Sequence, residues 1–345
     1  MKCFVTGASG FIGSNLVHEL LAQGHEVKGL LRPGTSDRAL AGLPRTNGSV
    51  HFKPVTGDIL DRKLLEQEME GCEWCFHVAA SYQLWMRDYS TMYQINVEGT
   101  RNVIETAGKS GCQRIVYTSS VGCIGTARYA TGKWIPADET ELVTEAEMTN
   151  DYKRSKFRAE AVALDLFRKK GLPVVIVNPT APVGPRDLKP TPTGQMILDF
   201  LNGKLPAYVD TGLNWIHVRD VAIGHIRAAQ KGRLGERYIL GNKSGNWTMK
   251  ETLATLEEIT GIRAPKLKIP HWVALAAAHV DEGTSFFTRK PPRAPVAGVK
   301  MARYKMWFNP QKAIHELDLP QTAPKQALVD AVEWFRANGY VSRKD

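Results

Sequence analysis

The sequence has no hydrophobic run long enough to cross a bilayer. Its longest apolar stretch, Trp272 to Val280, falls far short of the ~20 residues such a helix needs. Met1 is followed at once by strand-like residues, with neither the charged segment nor the apolar run of a signal peptide, so a cytoplasmic location is expected. Repeats and low-complexity tracts are absent. Cysteine is scarce, and the five present (Cys3, Cys72, Cys75, Cys112, Cys123) form no regular framework, as in a reducing compartment. Cys72-Glu-Trp-Cys75 is a lone C-x-x-C without further ligands at zinc-site spacing. It leads into the apolar run Cys75–Ala80, so buried strand residues and no metal site are expected. Lys and Arg number 45 against 35 Asp and Glu, yet they form no long basic run. That argues against a nucleic-acid partner and for a solvated basic surface with some phosphate-binding residues.

What is present is globular: 345 residues, 43% hydrophobic and 23% charged, enough for one large domain or two closely joined ones. Runs of β-branched and aromatic residues predict strands over Lys2–Thr6, Glu26–Leu31, Val50–Val55, Trp74–Ala79, Arg114–Ser119 and Pro173–Asn178. Between them, helical spacing predicts helices over Phe11–Gln23, Asp61–Glu70, Tyr89–Lys109 and Asp151–Lys170. This alternation predicts an α/β fold, a doubly wound parallel Rossmann sheet. After Asn178 the pattern breaks into a proline-rich loop. Helices are then expected over Gln195–Asn202, Ile216–Gln230, Thr248–Thr260, Trp272–Val280 and Pro324–Asn338, and a strand over Arg237–Leu240. The expected division is a cofactor-binding domain of residues 1–178 with 216–242. A smaller mixed α/β lobe, 179–215 with 243–345, would hold the substrate.

Gly7-Ala8-Ser9-Gly10-Phe11-Ile12-Gly13 places three glycines between the first strand and the first helix. Glycine allows a tight turn and close approach of a pyrophosphate, and the helix start offers free N–H groups and a positive dipole end. At the tip of the second strand, where an acid would bind a ribose 2′-hydroxyl, stands Arg32, followed by Thr35, Ser36 and Arg38. Arginine there favours NADP(H) over NAD(H). Asp58, in the turn after the third strand, is placed either to meet an adenine edge or to cap a helix. The fifth strand ends in Thr118-Ser119-Ser120, and about thirty residues later Tyr152 and Lys156 stand four apart on one helix face. A phenol is a poor base at neutral pH, but a nearby ammonium and a positive nicotinamide ring stabilise its anion. Tyr82, Trp85 and Arg87 follow the fourth strand and are expected to face the pocket. His77 and His217 have no metal-ligand company and are expected to be hydrogen-bonded sheet residues.

Taken together, Gly7–Gly13, Asp58, His77–Ala80, Asn96–Gly99, Thr118–Ser120 and Tyr152–Lys156 resemble the extended short-chain dehydrogenases/reductases of the NAD-dependent epimerase/dehydratase superfamily. Tyr152–Phe157, Val177–Thr180, Gly184–Asp187, Lys189–Gly194 and Phe200–Gly212 are similar to the hopanoid-associated sugar epimerases, a family that also resembles dihydroflavonol 4-reductases. The resemblance implies catalytic roles for three residues. Tyr152 would be acid/base, Lys156 would bind the nicotinamide ribose and tune Tyr152, and Ser120 would hold the reacting oxygen. Cofactor contacts would come from Gly7, Gly10, Phe11, Ile12, Gly13, Arg32, Asp58, Ile59, Ala79, Ala80 and Pro179, with Asn96 structural or supporting a proton relay. It also implies a small-molecule substrate, a homodimer through the helices at 89–109 and 151–170, and peripheral membrane contact if the substrate is a lipid.

Two readings share a first hydride transfer. A reductase or dehydrogenase exchanges its cofactor, whereas an epimerase returns the hydride to the other face of a transient ketone. Nucleotide-sugar epimerases of this class usually keep an acid where this chain has Arg32, and an arginine for the nucleotide diphosphate where it has Leu213. Both departures favour a reductase acting on a sugar-like, polyol or hopanoid-linked carbinol or ketone. A non-catalytic nucleotide sensor is the third reading, against which Ser120, Tyr152 and Lys156 argue.

Overall fold

Lys2–Thr6 (β1) buries Cys3, Phe4 and Val5 completely and runs into helix Phe11–Ala22 (α1). The structure, a computed structural model, describes residues 1–44, 51–288 and 290–341. Next come Glu26–Leu31 (β2), Phe52–Thr56 (β3), Arg62–Met69 (α2) and Trp74–His77 (β4). Ser90–Tyr93 (α3) continues through a π-helical turn, Gln94–Glu98, into Gly99–Lys109 (α4), followed by Arg114–Thr118 (β5). A small hairpin, Arg128–Ala130 (β6) and Lys133–Ile135 (β7), precedes Asp151–Lys170 (α5) and Val174–Pro179 (β8). The remainder comprises Ala181–Val183 (β9), Pro192–Leu201 (α6), Gly212–His217 (β10), Val218–Lys231 (α7) and Arg237–Leu240 (β11). Asn246–Thr248 (β12), Met249–Thr260 (α8), His271–Thr288 (α9), Val296–Met301 (α10), Lys305–Met306 (β13), Gln311–Leu317 (α11) and Pro324–Ala337 (α12) complete it.

Seven strands form one sheet in the order β11-β8-β5-β4-β1-β2-β3, every neighbouring pair parallel. This is the expected doubly wound Rossmann sheet. One face is covered by α1 and α7 through Leu16, Leu20, Val221 and Ile226, the other by α4 and α5 through Val103, Ala107, Ala159 and Ala163. Burial on both faces is why the strands read as near-continuous apolar runs. The chain leaves β1 toward β2 on one side and toward β4 on the other, which opens a crevice at the carboxyl ends of the strands. A smaller sheet, β12-β10-β13 with β9 also on β10, packs against α6, α8 and α12.

Several element ends differ from the sequence pattern, each for a local reason. β4 stops at His77 rather than Ala79 because the N–H groups of Val78 and Ala79 are taken by the Thr6 side chain. Ile216 and His217 belong to a strand, not to the following helix: Ile216 pairs with Pro182, and His217 Nδ1 caps α7 by accepting the Arg219 N–H at 2.9 Å. α6 starts earlier than expected, with Thr191 as N-cap and Pro192 in its first turn. α9 runs well beyond Val280, and β6, β7, β9, β12 and β13 are too short to show a period. Val50, expected to begin the third strand, lies outside the described residues.

Trp215 ties the smaller sheet to its helices: it is fully buried and its Nε1 donates to Thr252 Oγ1 at 2.8 Å. Trp215→Ala is expected to cost about 3–5 kcal/mol by loss of burial and a cavity, measured as a lower denaturant midpoint in equilibrium unfolding.

Candidate active site

The glycine loop stands where β1 and β4 end side by side. Thr6 Oγ1 accepts hydrogen bonds from the Val78 and Ala79 N–H groups, each at 3.1 Å, and donates to His77 Nδ1 at 2.8 Å. His77 Nε2 is thereby the donor to Thr100 Oγ1 at 3.0 Å, and Thr100 donates to the Asn96 carbonyl at 2.6 Å. Burial, aided by the Lys156 charge, pushes His77 down to about 3, so it stays neutral. Gly7, at φ +69°, lies against this junction, and a Cβ there would come within 2.9 Å of the Ala79 backbone. A Cβ on Gly13 would fall 2.1 Å from the Gly7 carbonyl oxygen.

Gly7, Gly10, Phe11, Ile12 and Gly13 line a cavity of about 870 Å³. Gly10 is the N-cap of α1, with no side-chain cap and no acid in the first turn, so the leading N–H groups and the dipole remain uncompensated. Around the same cavity stand Arg32, Thr35 and Ser36 after β2, Asp58 and Ile59 after β3, Ala79 and Ala80 after β4, and Pro179 at the end of β8. Asp58 Oδ1 accepts the Leu60 N–H at 2.9 Å, and Ile59 packs on Gly99. Arg32 forms no ion pair with a described residue, and it holds the strand tip where an acid would otherwise stand. A side-chain-free cradle, an uncapped helix start and a free basic tip fit a dinucleotide.

Ser120, Tyr152 and Lys156 line the cavity beside that cradle. Asn150 caps α5 by accepting the Lys153 N–H, which sets Tyr152 and Lys156 on the turns facing β5. The carbonyl of Ser120 accepts from Asn178 Nδ2 at 3.0 Å, and its Oγ accepts the Gly122 N–H at 3.1 Å. Burial pushes the Tyr152 phenol up to about 12, and its hydrogen bond with Ser120 pulls against that rise. Ser119 instead gives its hydroxyl to Cys123 Sγ at 3.6 Å, away from Tyr152. Lys156 is buried; its Nζ donates to the Thr118 carbonyl at 2.6 Å and lies 4.7 Å from the centre of the Tyr117 ring. Burial lowers its pKa to about 8. The ammonium is turned toward the Thr118 carbonyl at the end of β5. Asn96 donates to the Ser81 carbonyl and to Ser155 Oγ, both at 2.9 Å, and accepts the Ser81 N–H, so it pins the loop after β4 to α5.

Tyr82 and Leu84 line the cavity, but Trp85 and Arg87 do not: the loop bends at Leu84 and again at Arg87, so it does not follow the cavity wall. His77 is the buried residue just described, and His217 Nε2 is bound to Asp330 at 2.9 Å. The sequence reading gave no individual role to Lys153, Arg186, Asp187 or Asn178. Arg186 occupies a left-handed conformation at φ +74° and donates to Asn15 Oδ1 at 2.9 Å. Asp187 is buried in the cavity wall, bonded to Thr191, and pushed up to about 6 by burial. Nor did it mark Met196, Met249, Met301, Met306 and Phe308, which with Leu213 line the far end of the cavity. These residues are distant in sequence and share no motif.

Residues 3–241 match the model of the NAD dependent epimerase/dehydratase family. A Synechocystis protein carrying the name "Putative dihydroflavonol 4-reductase" is 46% identical over 342 residues, 98% of this chain and 95% of that protein. The sterol demethylase protein B of Methylococcus capsulatus is 34% identical, covering 99% of this chain and 100% of its own. The crystal structure of gox2253 superposes with a TM-score of 0.84 at 40% identity, covering 99% of each chain. None of the described helices is long and apolar enough to cross a membrane. The fold, the glycine cradle and these similarities together make the chain a member of the NAD-dependent epimerase/dehydratase family, an oxidoreductase of the extended short-chain type.

Proposed function

We propose that this protein is an NADP(H)-dependent carbonyl reductase, interconverting a ketone and its carbinol on a polyol, sugar-like or lipid-linked substrate with an apolar body. The observation that carries the reading is one cavity holding Ser120 and a protonated Tyr152 between the glycine cradle and an apolar, methionine-rich end. Arg32 with Thr35 and Ser36 supports the phosphorylated cofactor. Leu213, with Met196, Met249, Met301 and Met306, supports an apolar substrate over a nucleotide sugar, since flexible thioethers fill around bulky hydrocarbon and offer a diphosphate nothing.

Gly7–Gly13 and the start of α1 would bind the pyrophosphate, Arg32 the 2′-phosphate, and Asp58, Ile59, Ala79, Ala80 and Pro179 would flank the rest of the cofactor. When bound, the reduced cofactor supplies the hydride. Ser120 Oγ holds the carbonyl oxygen, and Tyr152 Oη gives it a proton as the carbon is reduced. Solvent then returns a proton to Tyr152. A phenol held near 12 is fully protonated at neutral pH, the state this direction requires. Lys156 holds the nicotinamide ribose and, as a cation, favours the phenolate left behind. Residues 1–178 with 216–242 would carry the cofactor and 179–215 with 243–345 the substrate. The same reading gives a cytoplasmic enzyme, dimerising through the helical segments at 89–109 and 151–170 and touching a membrane only where its substrate is a lipid.

Cofactor titration and turnover test the reading together. NADPH is expected to bind more tightly than NADH, and Arg32→Ala to weaken NADPH about ten- to hundredfold with NADH little changed. Tyr152→Phe is expected to lose ~10²–10⁴-fold in kcat while keeping its NADPH affinity. Tightly retained NAD would instead favour the sugar epimerase, and normal turnover by Tyr152→Phe would remove the proposed chemistry. The pH profile gives a second check. The Lys156 ammonium, lowered to about 8, is charged at neutral pH and lost above it, while Tyr152 stays protonated. Carbonyl reduction is therefore expected to be level through neutral pH and to fall as pH rises past about 8, read from kcat/KM against pH.

A further inference from the structure

A second lysine stands in the cavity wall with nothing to pair with. Lys153 follows Tyr152 on the first turn of α5; it is only 4% exposed and lines the cavity. Its backbone N–H is given to Asn150 Oδ1, whereas its ammonium makes no hydrogen bond or ion pair with a described residue and keeps its small remaining exposure to the cavity. Its stem lies across Gly122: a Cβ there would be 3.2 Å from Lys153 Cγ, 3.6 Å from its Cε and 3.3 Å from Ser120 Oγ. The aliphatic chain thus shares one surface with the hydroxyl beside Tyr152, and the charge lies at the reacting end of the cavity rather than with Arg32. The ionisable group acting on it is Cys123, whose thiol burial pushes up to about 12, so it is neutral at neutral pH and supplies no counter-charge. Burial also draws the Lys153 pKa below its usual value.

An ammonium at a cavity wall that no acceptor of the protein engages can exchange its water for an anion entering that cavity, and a low-dielectric surround strengthens such a pair. We propose that Lys153 is a substrate-recognition residue that receives a carboxylate carried by the substrate close to its reacting carbonyl. One cation beside Ser120 balances a monoanion; a phosphate dianion would leave net charge in the same buried place. The inference rests on the carbonyl-reductase reading for the position of the carbonyl, on Ser120 and Tyr152.

Binding, not turnover, tests it. Wild-type protein saturated with NADP⁺ is titrated, following tryptophan fluorescence, with 3-oxo-3-phenylpropanoate, with its ethyl ester, and with phenacyl phosphate. The acid is expected to bind roughly tenfold or more tightly than the ester, with the phosphate weaker than the acid. Lys153→Met is expected to erase the preference for the acid and Lys153→Arg to keep most of it, with thermal melting confirming that both are folded. Equal binding of acid and ester, no binding of the acid, tighter binding of the phosphate, or a preference for the acid that survives in Lys153→Met would overturn the proposal. If Lys153→Met does not fold, the wild-type comparison of acid and ester still decides. Tyr152→Phe should keep the preference for the acid, so a failure of the reductase chemistry and a failure of this inference give different results.

Discussion

The site depends on a single side chain holding two strand ends together. Thr6 Oγ1 takes the N–H groups of Val78 and Ala79 and passes its own hydrogen to His77. These bonds end β4, turn the chain outward at Ala79 and bring it against Gly7, where only a residue without a Cβ fits. They also fix the tautomer of His77, whose other nitrogen reaches Thr100 and, through it, the π-helical turn that carries Asn96. Asn96 in turn holds Ser81 and Ser155, so the loop after β4 and the helix of Tyr152 are set by one buried chain of hydrogen bonds. A satisfied network of this kind orients its members without flexible loops.

Electrostatics follow from burial more than from pairing. Tyr152, Lys156, His77 and Asp187 are each shifted toward the neutral form, with desolvation as the leading cause. The protein thus carries an acid that holds its proton and two cations, Lys153 and Lys156, at different distances from it. Lys156 is engaged by the end of β5, whereas Lys153 has no partner from the protein. The resemblance gives roles to Tyr152 and Lys156 and none to Lys153, although the three lie together near the start of α5.

The parallel sheet, its helices and the glycine cradle were legible because each is encoded locally, in apolar runs, helical spacing and glycines at a strand–helix junction. Ser120, Tyr152 and Lys156 were legible as a motif, and the structure brings them into the cavity with Arg32 and Asp58. Legibility failed where tertiary contacts override local pattern. Ile216 reads as helix but is drawn into a strand by pairing with β9, and Trp85 and Arg87 follow a strand end yet lie off the cavity wall.

The sequence by itself therefore determined the fold class, the glycine loop at the first strand–helix junction and the placing of Tyr152 and Lys156 on one helix face, since those depend on short-range spacing. Only the tertiary structure decided which methionines gather at the far end and which lysine is left without a counter-charge. Such facts depend on residues far apart in the chain being buried together, where desolvation and the presence or absence of a partner set each group's behaviour.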